Sequence, residues 1–313
     1  MPNVVLLFPG QGSQAPGMGR VLAQRFPAAH EVFAAADEVI GAPLSRLCFH
    51  GPADELTRTL NAQPALLTHG AAVWAVVRDV VAPMVVAAAG HSLGEFTAYH
   101  AADALALPEA VRLVRKRGEL MYDSGVRRPG AMAAILGDMT SSIEDVCAEA
   151  SSEGIVVPAN FNSPGQIVIS GEPAGVERAM VLAKAAGAKR VIKLNVSGAF
   201  HSPLMTEAAA GLEEALGMAH LADPRFPVYA NVNGQPVRDA ALARRLLVDQ
   251  LTAPVQWIRE IEAIAAAHAD ALYVEMGPGA VLKGLVKKIA PALNVVTCGT
   301  AAEVDALLAM VTA

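Results

Sequence analysis

The pentapeptide Gly90-His91-Ser92-Leu93-Gly94 sets a serine between two glycines, a spacing that lets a chain bend sharply out of a strand and into a helix. A serine on such a bend holds its hydroxyl at the carboxyl edge of a sheet with helix N-terminal amides beside it, an arrangement suited to nucleophilic acyl transfer. The letters alone are weak, because a plain tight turn would use the same glycines. The apolar run Met84–Ala89 before the serine and the helical pattern after it favour the nucleophile.

A serine hydroxyl needs a base, and the chain has eight histidines. His30, His50, His69, His100, His220 and His268 lie in helical or loop contexts that point to no site and read as surface or core histidines. His91 adjoins the serine, but neighbouring side chains at a strand end point in opposite directions, which turns its imidazole away from the hydroxyl. His201 lies in Ser197-Gly198-Ala199-Phe200-His201-Ser202-Pro203, where small residues follow a strand and Pro203 can open the next helix. Such a junction can aim a side chain across a cleft, although a structural histidine would suit it equally.

Arg117 stands out by position. On the helix expected from Pro108 to about Met121, Val111, Val114, Gly118 and Met121 form the apolar stripe and Arg117 falls on it, whereas Arg112, Arg115 and Lys116 fall elsewhere. A guanidinium on a buried face needs a carboxylate, supplied either by an internal salt bridge or by a substrate. The loop Pro9-Gly10-Gln11-Gly12-Ser13-Gln14-Ala15 satisfies the letters of a dinucleotide fingerprint. The segment 21–40 that follows is helical, with no second strand ending in an acidic residue, which excludes that use. A Gly-rich loop at the carboxyl edge can instead donate hydrogen bonds to an oxyanion.

Positioning these residues requires a sheet with helices on both sides. Val4–Phe8 is a short apolar run stopped by Pro9-Gly10 and reads as a buried strand, and Met84–Ala89 reads as another. Helical patterns occupy 17–40, 53–60 and 64–81. This alternation indicates a parallel sheet covered on both faces. The pattern changes between 126 and 199: strand 131–136, helix 140–152, strands 155–160 and 166–170 joined by Asn162-Ser163-Pro164-Gly165, helix 173–186 and strand 190–196. The order βαββαβ is ferredoxin-like. The expected architecture is therefore an α/β parallel-sheet domain, residues 1–125 and 200–313, carrying an inserted ferredoxin-like subdomain at 126–199. After 200 the alternation resumes, with helices at 203–217, 239–251, 256–268 and 280–289 and strands at 227–231 and 271–275.

Bulk properties narrow the function classes. The 313 residues are 53% hydrophobic, 17% charged and only 4% aromatic, enough for a sizeable core built mainly from aliphatic side chains. Mean hydropathy is +0.38, yet the longest uncharged apolar stretch, Val80–Gly90, contains Pro83 and is too short to span a bilayer. The N-terminal residues lack the basic region of a signal peptide, so a cytoplasmic location is expected, with no membrane partner. Three scattered cysteines read as reduced thiols with no metal-ligand spacing, and a net charge of −6 argues against nucleic acid as a partner.

Taken in order, Phe8–Gln14, Gly90–Glu95, Arg117, Gly130–Ala133, Ala159–Gly171, Gly198–Ser202, Asn231–Gly234 and Glu275–Gly279 closely resemble the malonyl-CoA:acyl-carrier-protein transacylases of fatty acid synthesis and the acyltransferase domains of polyketide synthases. The match spans almost the whole chain and implies an α/β-hydrolase-like domain with a ferredoxin-like insertion. It implies Ser92 as nucleophile, His201 as general base and then acid, and Gln250 as the residue whose backbone carbonyl orients His201. Gln11 and the Leu93 amide would form the oxyanion hole, Arg117 would clamp the malonyl carboxylate, and Phe200 would go with malonyl against branched units. Malonyl-CoA is then a substrate, holo acyl carrier protein the partner, a monomer the expected state, and no cofactor or metal is called for. A stand-alone polyketide synthase acyltransferase and a serine acyl hydrolase are the alternative activities. Arg127, Arg128, Lys189, Arg190, Lys287 and Lys288 could steer an acidic carrier protein or be ordinary solvated charges.

Overall fold

The computed structural model describes residues 2–196 and 198–313. Ser197, the first residue of the segment around His201, lies outside them.

A six-stranded sheet organises the larger part of the chain: β1 (Val4–Phe8), β2 (Val85–Gly90), β7 (Val228–Tyr229), β8 (Pro236–Val237), β9 (Leu272–Glu275) and β10 (Asn294–Thr297), in the order β10-β9-β1-β2-β7-β8. The first five strands of that order run parallel, and β8 closes the edge as an antiparallel partner of β7. The sheet is thus parallel except at that edge, where a short hairpin connection suffices. Every residue of β1 is buried, and alternate side chains feed different cores. Val4, Leu6 and Phe8 join the larger cluster, while Val5 and Leu7 join a second one built on Trp257, Ile261 and Leu285. A continuous apolar strand is the expected outcome when helices cover both faces.

The helices on the larger-cluster side are α1 (Arg20–Arg25), α2 (Pro27–Ile40), α3 (Leu44–His50), α4 (Ala53–Thr57), α5 (Thr59–Val81), α6 (Gly94–Ala101), α7 (Leu107–Arg127), α10 (Thr206–Met218), α11 (Ala240–Asp249) and α14 (Ala301–Thr312). α12 (Trp257–Ala267) and α13 (Val281–Ile289) cover the other face. The single pattern expected over 17–40 divides at Phe26, which is extended (φ −115°, ψ 113°), because Pro27 removes the α conformation from the residue before it. The expected gap between 60 and 64 is instead a break at Arg58 (φ −58°, ψ 131°), with α5 running on through Pro64. The strand expected over 227–231 shrinks to two residues and the helix expected from 203 opens with a 3₁₀ turn, Pro203–Met205, capped by the Ser202 hydroxyl. The stretch Thr59–Met84 is long and apolar enough by composition to cross a bilayer, but 67% of its most apolar window is buried inside the protein.

The second sheet contains β3 (Ala131–Leu136), β4 (Val156–Ser163), β5 (Gln166–Gly171) and β6 (Arg190–Lys193), in the order β4-β5-β3-β6 and antiparallel throughout. With α8 (Ile143–Ala150) and α9 (Pro173–Ala185) this is the ferredoxin-like βαββαβ arrangement. Ala131, Ala133 and Ile135 pack beneath those two helices, whereas Met132 and Val168 on the opposite face belong to the larger core. The inserted sheet therefore closes over the large one. Two backbone hydrogen bonds stitch β4 to the segment before α12: Phe161 N to Val255 O and Val255 N to Ala159 O, each 2.9 Å.

Candidate active site

The parallel register aligns the ends of β1, β2 and β9, with Phe8 opposite Gly90 and Leu7 opposite Glu275. The loop after β1 and the bend after β2 therefore emerge side by side at the carboxyl edge, where open α/β sheets place their ligands. At the bend Ser92 adopts φ +53°, a left-handed conformation that a non-glycine residue holds only when its surroundings enforce it. Both flanking glycines are required by close approach. A Cβ on Gly90 would overlap the Gly94 carbonyl, and one on Gly94 would overlap the Phe8 carbonyl. Asn231 enforces the bend from below: its Oδ1 accepts from Ser92 N at 2.6 Å and its Nδ2 donates to Gly90 O at 2.7 Å.

His201 also has a positive φ, +56°, at the junction before the Pro203 turn. Its Nε2 lies 2.8 Å from Ser92 Oγ, and its Nδ1 lies 2.8 Å from the Gln250 carbonyl oxygen just past the end of α11. A carbonyl can only accept, so Nδ1 carries the proton and Nε2 is left as the acceptor for the serine hydroxyl. Burial, reinforced by the nearby Arg117 charge, pushes the imidazole down to about 3. It is neutral at working pH and able to take a proton. His91 turns away, as expected, and its Nε2 pairs with Asn162 Oδ1 of the inserted sheet at 2.8 Å.

Arg117 is 1% exposed and reaches Ser92 Oγ from Nη2 at 3.1 Å. Of the two carboxylate sources the sequence left open, the internal salt bridge is not formed: among the described residues no carboxylate is within salt-bridge reach of the guanidinium. Nη1 donates to Gln63 Oε1 at 2.6 Å and Nη2 to Gln250 Oε1 at 2.7 Å, while the Phe96 ring lies 5.7 Å from the guanidinium carbon. Neutral oxygens and an aromatic face thus hold the charge without cancelling it. Burial lowers its pKa only to about 10, so it remains a cation. Its Nε has no protein acceptor among the described residues, and Nε and Nη2 share the edge that grips a carboxylate in bidentate fashion.

These groups line one cavity of about 280 Å³ together with Gln11, Leu93, Phe200 and Gln63. Among the described residues neither the Gln11 nor the Leu93 backbone amide donates to a protein acceptor, so both remain free for an oxyanion. The Gln11 side chain is occupied, its Oε1 accepting from Thr59 at 2.9 Å. The inserted sheet supplies Met132, Asn160, Asn162 and Gln166 to the opposite wall. Of the basic residues singled out, Arg127 and Arg128 pair with Glu207 and Glu172, and Lys288 donates to the cavity residue Gln166 at 3.3 Å. Sequence reasoning assigned no part to Gln63, Asn231, Glu95 or Glu260. Each is a polar residue buried at 1% exposure or less, and the signal was available for two of them, as an amide inside the apolar α5 and a carboxylate inside the amphipathic α12.

A serine hydroxyl already hydrogen-bonded to a neutral imidazole, beside unpaired amides on an α/β-hydrolase-like sheet, is an arrangement suited to acyl transfer. Comparison with known proteins supplies the family. Residues 5–306 match the acyl transferase domain, and the chain belongs to that family, within it to the malonyl CoA-acyl carrier protein transacylases. It is 46% identical to the malonyl CoA-acyl carrier protein transacylase of Bacillus subtilis over 92% of this chain and 91% of that one. The corresponding protein of Salmonella typhimurium is 42% identical, with 98% and 99% covered. Among solved structures, an acyl-carrier-protein S-malonyltransferase from Bartonella henselae superposes with a TM-score of 0.94 at 41% identity, covering 99% of this chain and 100% of that one. A malonyl-transacylase solved in complex with its type II polyketide acyl carrier protein superposes at 0.93 with 40% identity, covering 98% and 99%.

Proposed function

We propose that this enzyme transfers a malonyl group from malonyl-CoA to the phosphopantetheine thiol of an acyl carrier protein through an ester on Ser92, supplying extender units for fatty acid synthesis. The observation that carries the reading is a buried cation, Arg117, 3.1 Å from the nucleophile in the same cavity. An acyl group with a distal carboxylate pairs directly with that cation, whereas an acetyl group leaves it with only the neutral oxygens of Gln63, Gln250 and Ser92 as direct partners.

His201 Nε2 takes the Ser92 proton as Oγ bonds to the thioester carbon, and the carbonyl electrons move onto oxygen, which the Gln11 and Leu93 amides receive. Each such donor contributes on the order of 3 kcal/mol. Collapse breaks the C–S bond, and His201 returns the proton to the departing CoA thiolate. The carrier thiol then gives its proton to His201 and attacks the ester carbon; as the C–O bond breaks, His201 returns the proton to Ser92 Oγ, so every proton is handled by these residues and the two thiols. The Gln250 carbonyl holds the imidazole tautomer throughout. Arg117 disfavours an imidazolium at His201, and a malonyl carboxylate on Arg117 relieves that repulsion, so the correct cargo assists its own base. Phe200, buried at the cavity wall, restricts width beside the acyl group.

A cytoplasmic monomer completes the reading. The monomer is supported by exposed large apolar side chains that are scattered singly along the chain, as at Val21, Val126 and Met218. The polyketide neighbour keeps a polyketide carrier as a second possible acceptor. Intact-protein mass after incubation with malonyl-CoA tests the function: one malonyl group should appear on the wild type and none on Ser92→Ala, and holo carrier protein should discharge it. Free malonate released equally fast without the carrier would make the enzyme a hydrolase instead.

A further inference from the structure

Beneath Ser92 lies a buried polar layer that the transfer steps do not consume. Glu95, in the first turn of α6, is 0% exposed. Its Oε2 accepts from Gln250 Nε2 at 2.6 Å and from Asn231 N at 3.1 Å, while Oε1 has no protein partner among the described residues. The other end of the same Gln250 amide accepts from Arg117 at 2.7 Å. One side-chain amide therefore joins a buried cation to a buried carboxylate, and the same residue's backbone carbonyl orients His201.

We propose that Glu95 is the resident counter-ion of the carboxylate clamp, a positioning residue acting through Gln250: in the empty cavity its carboxylate balances Arg117, and when an acyl carboxylate pairs with Arg117, one proton from solvent moves onto Glu95. This rests on the reading that Arg117 receives the substrate carboxylate. The charge balance is closed, since one anion and one proton enter together. Without the proton, two carboxylates would share a single buried cation and leave a negative charge uncompensated.

The surroundings fit. Arg117 faces Glu95 from α7, Glu260 from α12 and Tyr99 from its own helix. Burial, with the neighbouring Glu95 charge, raises Glu260 and Tyr99 well above their ordinary values, which favours their neutral forms beside Glu95. Burial also raises Glu95, to about 7, against the pull of Gln250, Asn231 and Arg117. An acyl carboxylate on Arg117 cancels that last pull and raises Glu95 further. Above about 7 the empty enzyme holds Glu95 ionised and binding takes up a proton; below that value Glu95 is already protonated and uptake fades.

Calorimetric binding of malonyl-CoA and of acetyl-CoA to Ser92→Ala, in buffers of differing ionisation enthalpy, reads the proton directly. Uptake should approach one proton per malonyl-CoA near about pH 8 and vanish below about pH 6, with none for acetyl-CoA. In acylation of the otherwise wild-type enzyme, the malonyl-CoA KM should rise several-fold between about pH 7 and about pH 8.5. Glu95→Gln should flatten that profile and abolish uptake, and Glu95→Asp should restore part of both. Equal uptake for the two thioesters overturns the inference without any Glu95 variant, as does undiminished uptake in Glu95→Gln. Arg117-dependent malonyl-CoA binding with no proton uptake defeats this inference alone, whereas absence of malonyl-CoA binding defeats the proposed function with it.

Discussion

The floor and the roof of the cavity are built on different principles. Under Ser92 the large domain buries Glu95, Arg117, Asn231, Gln250 and Glu260, each at 1% exposure or less and each hydrogen-bonded to at least one other member of the set. The inserted domain packs Ala133, Ile135, Val146, Val176 and Ala179 between its sheet and helices and keeps its ion pairs outside. Arg178–Glu149 and Lys193–Glu177 join side chains that are 43–64% exposed. Surface pairs of that kind contribute roughly 0–1 kcal/mol each. A buried, mutually hydrogen-bonded network instead restricts geometry, because any displaced member leaves further buried groups unpaired. The difference teaches that atomic precision is concentrated where bonds change, while the roof supplies shape and a few adaptable polar contacts.

The sharpest way to break this comparison is His201→Ala. Loss of the base should lower kcat/KM by about 10⁴-fold with circular dichroism unchanged, and a loss within about tenfold would show that the floor's geometry is not decisive. Next is Arg117→Ala, expected to lower malonyl kcat/KM by about 10²–10³-fold while raising acetyl transfer relative to malonyl. An unchanged malonyl-to-acetyl ratio would remove the clamp.

Acid stability separates the two regions in another way. Burial lowers His69 to about 4 and His201 to about 3, and lowers His91 and His100 as well; the inserted domain has no histidine. Below their ordinary value of 6.5 the unfolded chain binds protons that the folded one does not, so these groups cost stability as pH falls. Glu95 and Glu260, raised above 4.5 by burial, act oppositely between that value and their folded ones, because there the folded state holds the extra protons. The two effects oppose each other until about pH 4.5, below which the histidines are joined by Glu303 and Glu172, both held below the ordinary carboxylate value. Hydrogen exchange on acidification should therefore show protection lost first in the large domain, and earlier loss in the insertion would contradict the assignment. The smallest effect is expected on the roof. Asn162→Ala removes the 2.8 Å contact to His91 and should raise the malonyl-CoA KM only several-fold, for about 1 kcal/mol, with kcat little changed.

Much of the site was legible because its signals are local. Gly90 and Gly94 announce a bend that no Cβ tolerates, and the 3.6-residue period alone places Arg117 on the buried stripe of α7. Local pattern also marked the βαββαβ order, although it joined α1 to α2 across the Phe26-Pro27 break and left out α3, β10 and α14. Glu95 and Asn231 lay inside recognised motifs without an evident task. Glu95 bonds Asn231 and Gln250, 136 and 155 residues away in the chain, and no spacing rule connects them.

By itself the sequence determined which residue types could act, where the chain must bend and which helix face is apolar, since those follow from sterics and periodicity within a few residues. Only the tertiary structure decided that His201 comes within 2.8 Å of Ser92, that Arg117 is held by amide oxygens in place of a carboxylate, and that Gln250 links cation, base and buried acid. Those outcomes depend on the parallel register of β1, β2 and β9 and on an inserted sheet closing over their ends, long-range arrangements set by the burial of whole faces.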